Sequence, residues 1–481
     1  MRIAIIGGGI AGLAAAYELE LAREQGAALE VVLFEGRERL GGSLASEVVG
    51  GAVLERGPDS FISEKTSAAE LCRELGLGEA LTPSNDADRK TFVVVRNRLV
   101  ALPDGLMFLV PTKLVPTALS GLFTLGTKIR MALELFFPPR RHAQEDESVA
   151  ELVGRHYGQG AVDRLADPLL SGIYGGDSTR LSAQTVLPRL VEMEREHGSL
   201  TRGMLAAHAK MRARMKFMPK GSSAKPAAPR GIFTTLKGGL QQMIDALSTR
   251  IRSVDVRLKT PVDALEKTHD GWRITTGGAV TNFDAVIVAT PAWAASRVLE
   301  SVDEELSGLL GAVPYSSSIT VNLVYDEKQI GTLPPGFGFL VPATEGRALL
   351  ACTFVHRKFL GRTPAGKAVL RAFLGGMRNE ELLDADDLRL SQIVQRELGE
   401  ILGRKVLPAS ARPEHVQVTR WRRAMAQYAV GHQKRKEAID ARVKALNTLR
   451  LAGNAYDGIG VPDCIRLGRQ AARELVERQR C

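Results

Sequence analysis

Ile3-Ala4-Ile5-Ile6-Gly7-Gly8-Gly9-Ile10-Ala11-Gly12 decides how the rest of the sequence is read. Four apolar residues make a short buried strand, and Gly7, Gly9 and Gly12 fall on the pattern G-x-G-x-x-G. The alanine-rich stretch that follows predicts a helix from about Ile10 to Gln25, with Gly26 as its C-terminal cap. Gly7 permits the tight turn, Gly9 lets a pyrophosphate approach the backbone, and Gly12 lets helix and strand pack closely. The unpaired N–H groups and positive dipole end of the helix then face the phosphates. A second strand, Glu30-Val31-Val32-Leu33-Phe34, ends at Glu35, where a carboxylate accepts hydrogen bonds from a ribose. A glycine-rich turn alone says little, but a complete βαβ unit predicts a bound dinucleotide.

The next residues, Arg37-Glu38-Arg39-Leu40-Gly41-Gly42, select the dinucleotide. An R-x-G-G turn directly after the acid resembles the second signature of the amine-oxidase-like flavoproteins, which points to FAD rather than NAD. Glu35 would also repel a 2′-phosphate.

A chain of 481 residues with 44% hydrophobic and 25% charged content suits two or three globular domains. The first strand begins at residue 2 or 3, which predicts no signal or transit peptide. Cys72, Cys352, Cys464 and Cys481 are scattered, which suits a reducing cytoplasm and predicts neither a disulfide framework nor a metal site. The net charge of +10 is uneven: His197 to Arg230 holds eight Lys or Arg residues and no acid. Such a run suits anionic lipid or an acidic partner, or is simply a solvated face. Nucleic acid is disfavoured, because only Phe217 interrupts the run and no binding motif accompanies it.

Glu47 to Glu55 reads as a hairpin leading to Gly57-Pro58-Asp59-Ser60, whose turn exposes backbone N–H groups. Ser67-Ala68-Ala69-Glu70 and Ser148-Val149-Ala150-Glu151 both have the capping-box pattern. Thr91 to Leu102 reads as another hairpin. Gly105 to Phe137 is the most apolar stretch, yet Pro111, Lys113, Pro116, Lys128 and Arg130 leave no uninterrupted span. Folded as short helices, it would either lie on a bilayer surface or form an ordinary core. Helical patterns from Ser148 to about Leu205 are broken at Gly172-Ile173-Tyr174-Gly175-Gly176-Asp177, and Gly221 to Pro229 has linker composition. Strands return at 254–258, 272–276 and 285–289, so a dinucleotide-binding sheet interrupted by a helical insertion is expected. Runs at 319–325, 337–341, 349–355 and 369–375 predict an antiparallel sheet. Leu449 to Asn454 predicts a last strand, and the helix after Val461 brings a positive N-terminus to the cofactor.

Taken in order, GGGIAGL, R-x-GG, GPDS at 57–60, SGIYGGD at 171–177, GFGFLVP at 336–342, RW at 420–421 and AGNAYDGIGVPDCI at 452–465 resemble the oxygen-dependent protoporphyrinogen oxidase family of haem synthesis, including its coproporphyrinogen-oxidising members. The resemblance covers nearly the full length. It implies an α/β fold: a discontinuous Rossmann-like FAD-binding domain (1–88, 231–300 and 414–481), a helical membrane-associated insertion (89–230) and an α+β antiparallel-sheet substrate domain (301–413). It implies FAD contacts at Gly7, Gly8, Gly9, Ile10, Ala11, Gly12, Glu35, Arg39, Gly42, Gly57, Pro58, Asp59, Ser60, Val262, Trp421, Val461, Pro462 and Asp463. The substrate cavity would involve Gly172, Tyr174, Gly175, Phe337, Gly338 and Leu340, with Arg89 or Lys90 for a propionate. Two departures stand out: Arg89-Lys90-Thr91 replaces the family's usual arginine register, and Ala426 replaces a proline before Gln427-Tyr428.

The resemblance further implies six-electron oxidation of protoporphyrinogen IX or coproporphyrinogen III. FAD turns over three times by hydride transfer, and each turn reduces O2 to H2O2. No strong protein base is demanded, since pyrrole N–H protons leave by tautomerisation. Implied partners are the porphyrinogen, O2, a membrane surface approached from the cytoplasm, ferrochelatase and a second copy of the chain. Rival readings are a related FAD oxidase or desaturase of amines or carotenoids, and a non-catalytic flavin scaffold carrying haem intermediates.

Overall fold

In the computed structural model, which describes residues 1–107, 109–138, 145–216 and 231–480, the opening strand lies at the centre of a sheet. Its five parallel strands run in the order Val254–Arg257, Glu30–Phe34, Arg2–Ile6, Ala285–Val288, Leu449–Leu451. These short apolar strands are buried from both sides, as parallel strands must be. On one face the helix Ile10–Glu24 packs against the C-terminal helix Val461–Arg480. Their approach is close: a Cβ on Gly468 would come within 2.1 Å of the Ala11 carbonyl oxygen. The sequence therefore assembles one sheet from its beginning, middle and end, as expected of a discontinuous nucleotide domain.

A second, seven-stranded sheet runs Arg98–Ala101, Thr91–Val95, Gly338–Leu340, Ala351–Phe354, Lys367–Gly375, Tyr315–Asp326, His415–Ala426. The expected strands between 315 and 375 are all in it. Two expected boundaries move, however. The hairpin at 91–101, read as the start of the helical insertion, joins this sheet by parallel pairing of Thr91 with Gly338. The strand His415–Ala426, assigned to the FAD domain, pairs along Tyr315–Asp326. Strand alternation is a local property, whereas the partner of a strand is chosen by long-range packing. Ala426, where a proline was expected, is buried and ends the ladder opposite Tyr315.

Successive side chains of a strand point to opposite faces. One face of this sheet packs on the helix Asp387–Leu402 through Ile319, Val321, Leu323, Leu370, Ala372 and Leu374. The opposite face is more polar. Gln417, Asn322, Arg371 and Thr353 form one row across it, and Thr419, Thr320 and Phe373 form the next.

The insertion is helical from Leu114 to Lys216 among its described residues. Its capping box at Ser148 forms: Ser148 Oγ accepts from Glu151 N while Ser148 N donates to Glu151 Oε2. The one expected at Ser67 does not. Thr66 already has helical dihedrals and makes no side-chain cap, so Ser67 lies inside the first turn. The linker Gly221–Pro229, Phe217 and the rest of the basic run after Lys216 lie outside the described residues, while Arg202 and Lys210 are exposed on the helix Leu200–Lys216. Among the described residues no helix is long and apolar enough to cross a membrane.

Candidate functional site

The predicted glycines come together at the carboxyl end of the central strand Arg2–Ile6. Gly7 has φ +108°, and a Cβ on Gly12 would stand 1.9 Å from the Gly7 carbonyl oxygen, so both positions require glycine. Gly9 differs, because a Cβ there meets nothing within 4 Å. It faces an open groove at the N-terminus of the helix Ile10–Glu24, which no side chain caps. Gly41 pairs with Gly9, and Gly42 crosses close to it. The Arg39 guanidinium donates to the carbonyls of Leu40, Gly42 and Leu44, clamping the R-x-G-G turn. Glu35 sits at the rim, accepting from Gly8 N and Arg37 N at 2.8 Å each, and its carboxylate keeps lone pairs for a ribose. Val262 lies beside this strand end, next to Pro261, which contacts Gly36.

One groove residue escaped the sequence reading. Thr290 follows the strand Ala285–Val288, touches the Gly7 turn, and has a buried Oγ1 with no hydrogen-bond partner among the described residues. A lone threonine carries no motif, so only its position reveals it. An uncapped helix start, an orphaned hydroxyl and an empty Gly9 position fit a dinucleotide phosphate and its flanking sugars.

The Gly57–Ser60 loop leads away from the groove toward the second sheet. A Cβ on Gly57 would be 1.9 Å from the Ser43 carbonyl oxygen. Asp59 is turned from solvent: Lys358 Nζ lies 3.1 Å from its carboxylate, Ser60 Oγ donates to it at 2.6 Å, and Arg371 Nη1 lies at 3.6 Å. Burial alone would raise its pKa, but Lys358 and Arg371 hold it well below the usual carboxylate range. Glu55 pairs with the fully buried Arg362 at 2.6 Å, and burial pushes the Glu55 pKa up. Arg371 Nη2 donates to the Gly57 carbonyl, and Thr235 and Arg362 donate to that of Asp59. The loop's backbone is thus fixed by a buried ion cluster that ties it and the strand Ala52–Glu55 to the seven-stranded sheet. Trp421 joins the same seam, its Nε1 donating to the Arg56 carbonyl at 2.8 Å. A bulge follows it, with Arg423 at φ +48°.

At the helix Val461–Arg480, Asp463 accepts from Gly460 N at 3.2 Å and from Lys65 Nζ at 2.8 Å on Oδ1 and 2.7 Å on Oδ2. Asp463 also lies near Tyr174: burial first, and then this carboxylate, push the Tyr174 pKa up to about 12. The Gly172–Gly175 segment is therefore close to the N-terminus of the helix Val461–Arg480. Gly172 lies within the helix Asp167–Tyr174, where a break was expected, and a Cβ on it would meet Leu340 at 3.0 Å. Gly175 caps that helix in the left-handed region, and a cavity of about 350 Å³ opens beside it, lined by Val341, Leu350, Met377 and Arg378.

The strand Gly338–Leu340 has a different character from that expected. Gly338 is glycine because the Cys352 carbonyl would lie 2.0 Å from its Cβ, and Phe337 is buried. Close strand pairing explains both without a ligand. Phe337 N donates to the Lys90 carbonyl, so Arg89 and Lys90, both exposed, stand at that end of the strand. Phe373, Thr320 and Thr419 share the sheet face of Arg371 and Asn322, whose side chains reach the Gly57 and Glu55 carbonyls. Their alternation was visible, but which face would meet those carbonyls was not.

The chain matches the family model described as flavin containing amine oxidoreductase over residues 10–476. It is 34% identical to coproporphyrinogen III oxidase of Bacillus subtilis, across 99% of this chain and 98% of that one. It is 28% identical to the mitochondrial protoporphyrinogen oxidase of Nicotiana tabacum, across 98% and 94%. Among solved structures, one from Exiguobacterium assigned as a protoporphyrinogen oxidase superposes with a TM-score of 0.85 at 31% identity, over 99% of each chain. Cyclohexylamine oxidase of Brevibacterium oxydans superposes at 0.68 with 19% identity, over 100% of this chain and 99% of that one, a likeness of fold alone.

Proposed function

The chain belongs to the flavin containing amine oxidoreductase family, and on that premise we propose that it oxidises a porphyrinogen to the porphyrin with O2 as acceptor. The observation that carries this reading is full-length similarity to porphyrinogen oxidases, combined with a groove whose open glycine and orphaned threonine fit FAD. Relatives named coproporphyrinogen III oxidase share 34% and 30% identity, against 28% and 27% for two named protoporphyrinogen oxidase. Coproporphyrinogen III is therefore the substrate we favour.

In this reading Gly7 to Gly12, Glu35, Gly42, Val262 and Thr290 hold the dinucleotide, while the Gly57–Ser60 backbone, Trp421 and Val461 to Asp463 surround the ring. Bound there, FAD supplies the two-electron acceptor. The chain's own residues bind, orient and exclude water. Phe373, Thr320 and Thr419 floor the space, Tyr174 and Leu340 wall it, and Arg89 or Lys90 meets a substrate carboxylate. Anaerobic mixing with coproporphyrinogen III and protoporphyrinogen IX, side by side, tests the reading. Bleaching of the flavin by the former, and more slowly by the latter, is expected. Flavin left oxidised by both, but bleached by an amine or a carotenoid precursor, would overturn it.

We also propose that the insertion rests on a membrane surface. Leu119 (80% exposed), Leu125 (74%) and Phe136 (79%) stand out from its short helices, with Lys113, Lys128 and Arg130 among them. Such a face suits the interface of an anionic bilayer. Ferrochelatase and a second copy of the chain are further partners in this reading, tested by cosedimentation and analytical ultracentrifugation.

A further inference from the structure

We propose that Arg371 is a positioning residue for the redox step: a buried cation beneath the Gly57–Ser60 loop, in a cluster whose cations outnumber its carboxylates, that favours the reduced over the oxidised flavin. The inference rests on the proposed placement of the flavin ring beside that loop.

The ion cluster does not balance. Glu55 and Asp59 face three cations, Lys358, Arg362 and Arg371. Glu55 takes Arg362 at 2.6 Å and Asp59 takes Lys358 at 3.1 Å, which leaves Arg371 as the excess charge. Arg371 is 3% exposed. Its Nη2 donates to the Gly57 carbonyl, but Nε and Nη1 have no hydrogen-bond partner among the described residues, and the Asp59 carboxylate is no closer than ion-pair distance. Below it, the guanidinium packs 4.9 Å from the centroid of Phe373, which is half-buried on the same sheet face. Burial pushes the Glu55 pKa up and the Lys358 pKa down, so these two shifts act on the cluster charge in opposite senses.

A buried charge without a partner is expensive, and buried donors in proteins are almost always satisfied. Asp59, which already holds Lys358 at 3.1 Å, compensates Arg371 only in part, from 3.6 Å. What lies on the other side of the loop it holds is, in the proposed arrangement, a ring that becomes negative on taking up two electrons. A fixed cation interacts more strongly with that state than with the neutral one, and this differential interaction is what shifts a redox equilibrium. Loop and charge are coupled through Gly57, so the residue that shapes the backbone also sets the local potential.

The test is the midpoint potential of bound FAD, measured on the purified holoprotein of the wild type and of two variants that change the cluster charge in opposite senses. Arg371→Met removes the excess cation and is expected to lower the potential, weakening the reduced state about tenfold or more relative to the oxidised state. Asp59→Asn removes a carboxylate and is expected to raise it. A structural role alone would move both variants the same way, through a loosened loop, and that result overturns the proposal. So does an unchanged potential with a raised KM for porphyrinogen, which would make Arg371 a substrate-carboxylate ligand. If Arg371→Met fails to retain FAD, Lys358→Met and Asp59→Asn provide the same test of sign. Porphyrinogen turnover by the wild type is scored separately: a protein inert to porphyrinogens whose variants still shift in opposite senses would refute the substrate reading and leave this inference standing.

Discussion

The nucleotide groove and the helical insertion hold their shapes by opposite means. At the groove, backbone approaches backbone: Gly12 against Gly7, Gly57 against Ser43, Gly468 against Ala11. Side chains there mostly hold the backbone in place, as Arg39 does. The insertion is built around a buried polar hub. Glu134 accepts from His156 Nδ1 at 2.9 Å, from Ser199 Oγ at 2.8 Å and from Leu200 N at 2.5 Å. His156 Nε2 meets Glu194 at 3.2 Å, and Arg155 pairs with Glu194 and Glu147. One region fails when atoms are added, the other when a charge is removed.

The largest effect separates two glycines three residues apart. Gly12→Val drives a side chain into the Gly7 carbonyl, which has nowhere to go, so we expect no folded nucleotide domain. Gly9→Val places its methyl groups in the open groove instead. The apo-protein should melt within about 1 kcal/mol of wild-type apo-protein, yet purify colourless and refuse added FAD. Absorbance after reconstitution, together with apo-protein melting, checks the pair. A yellow Gly9→Val variant would remove the phosphate site from the groove.

The same contrast governs what could be read from the sequence. Glycine spacing is a backbone requirement written in single letters, so the βαβ unit, its acid and the returning C-terminal helix are legible in the sequence. A side-chain cluster assembled from distant segments leaves no such trace. The Gly57–Ser60 turn was read for its backbone N–H groups, but that the Asp59 carboxylate pairs with Lys358, almost 300 positions away, had no sign in the sequence. Arg371, Arg362 and Thr290 sit in unremarkable strand or loop contexts. The hairpin at 91–101 was correct as a hairpin and wrong in its domain, because alternation gives a strand two faces without saying which sheet it joins.

In the insertion, Glu134→Ala should cost about 3–5 kcal/mol, the usual penalty for breaking a buried pair and stranding its donors. Hydrogen exchange of the helix Val149–Tyr157 would report the loss, while FAD absorbance stays unchanged if the two regions are as independent as their construction suggests. A colourless Glu134→Ala variant would break the comparison.

A smaller effect follows from pH. Burial alone would lower the His156 pKa, but its bonds to Glu134 and Glu194 outweigh burial and raise it above 6.5. Its contribution is complete below about pH 6.5 and is lost as pH rises through the higher folded value. Glu194 runs the other way: despite burial, His156 and Arg155 bring it down to about 2 from 4.5, so its contribution holds above 4.5 and is lost as pH falls toward 2. Protection of the insertion's amides should therefore peak between about pH 4.5 and 6.5, and His156→Gln should flatten the alkaline side only. Protection that instead grows above pH 7 would show His156 to be neutral in the fold.

The smallest effect on stability belongs to the insertion's outer face, where neither kind of construction operates. Leu119 and Leu125 project into solvent and have little packing to lose, so Leu119→Ser with Leu125→Ser should change stability by no more than about 0.5 kcal/mol per site. Each exposed leucine nevertheless contributes about 1.5–3 kcal/mol if it enters an apolar phase. Cosedimentation with vesicles of anionic phospholipid should then fall at least tenfold in the double variant, with melting and flavin content unaltered. Equal binding by variant and wild type, at low salt and high, would mean that these leucines are exposed for another reason, and that the insertion's only membrane-facing argument is its basic charge.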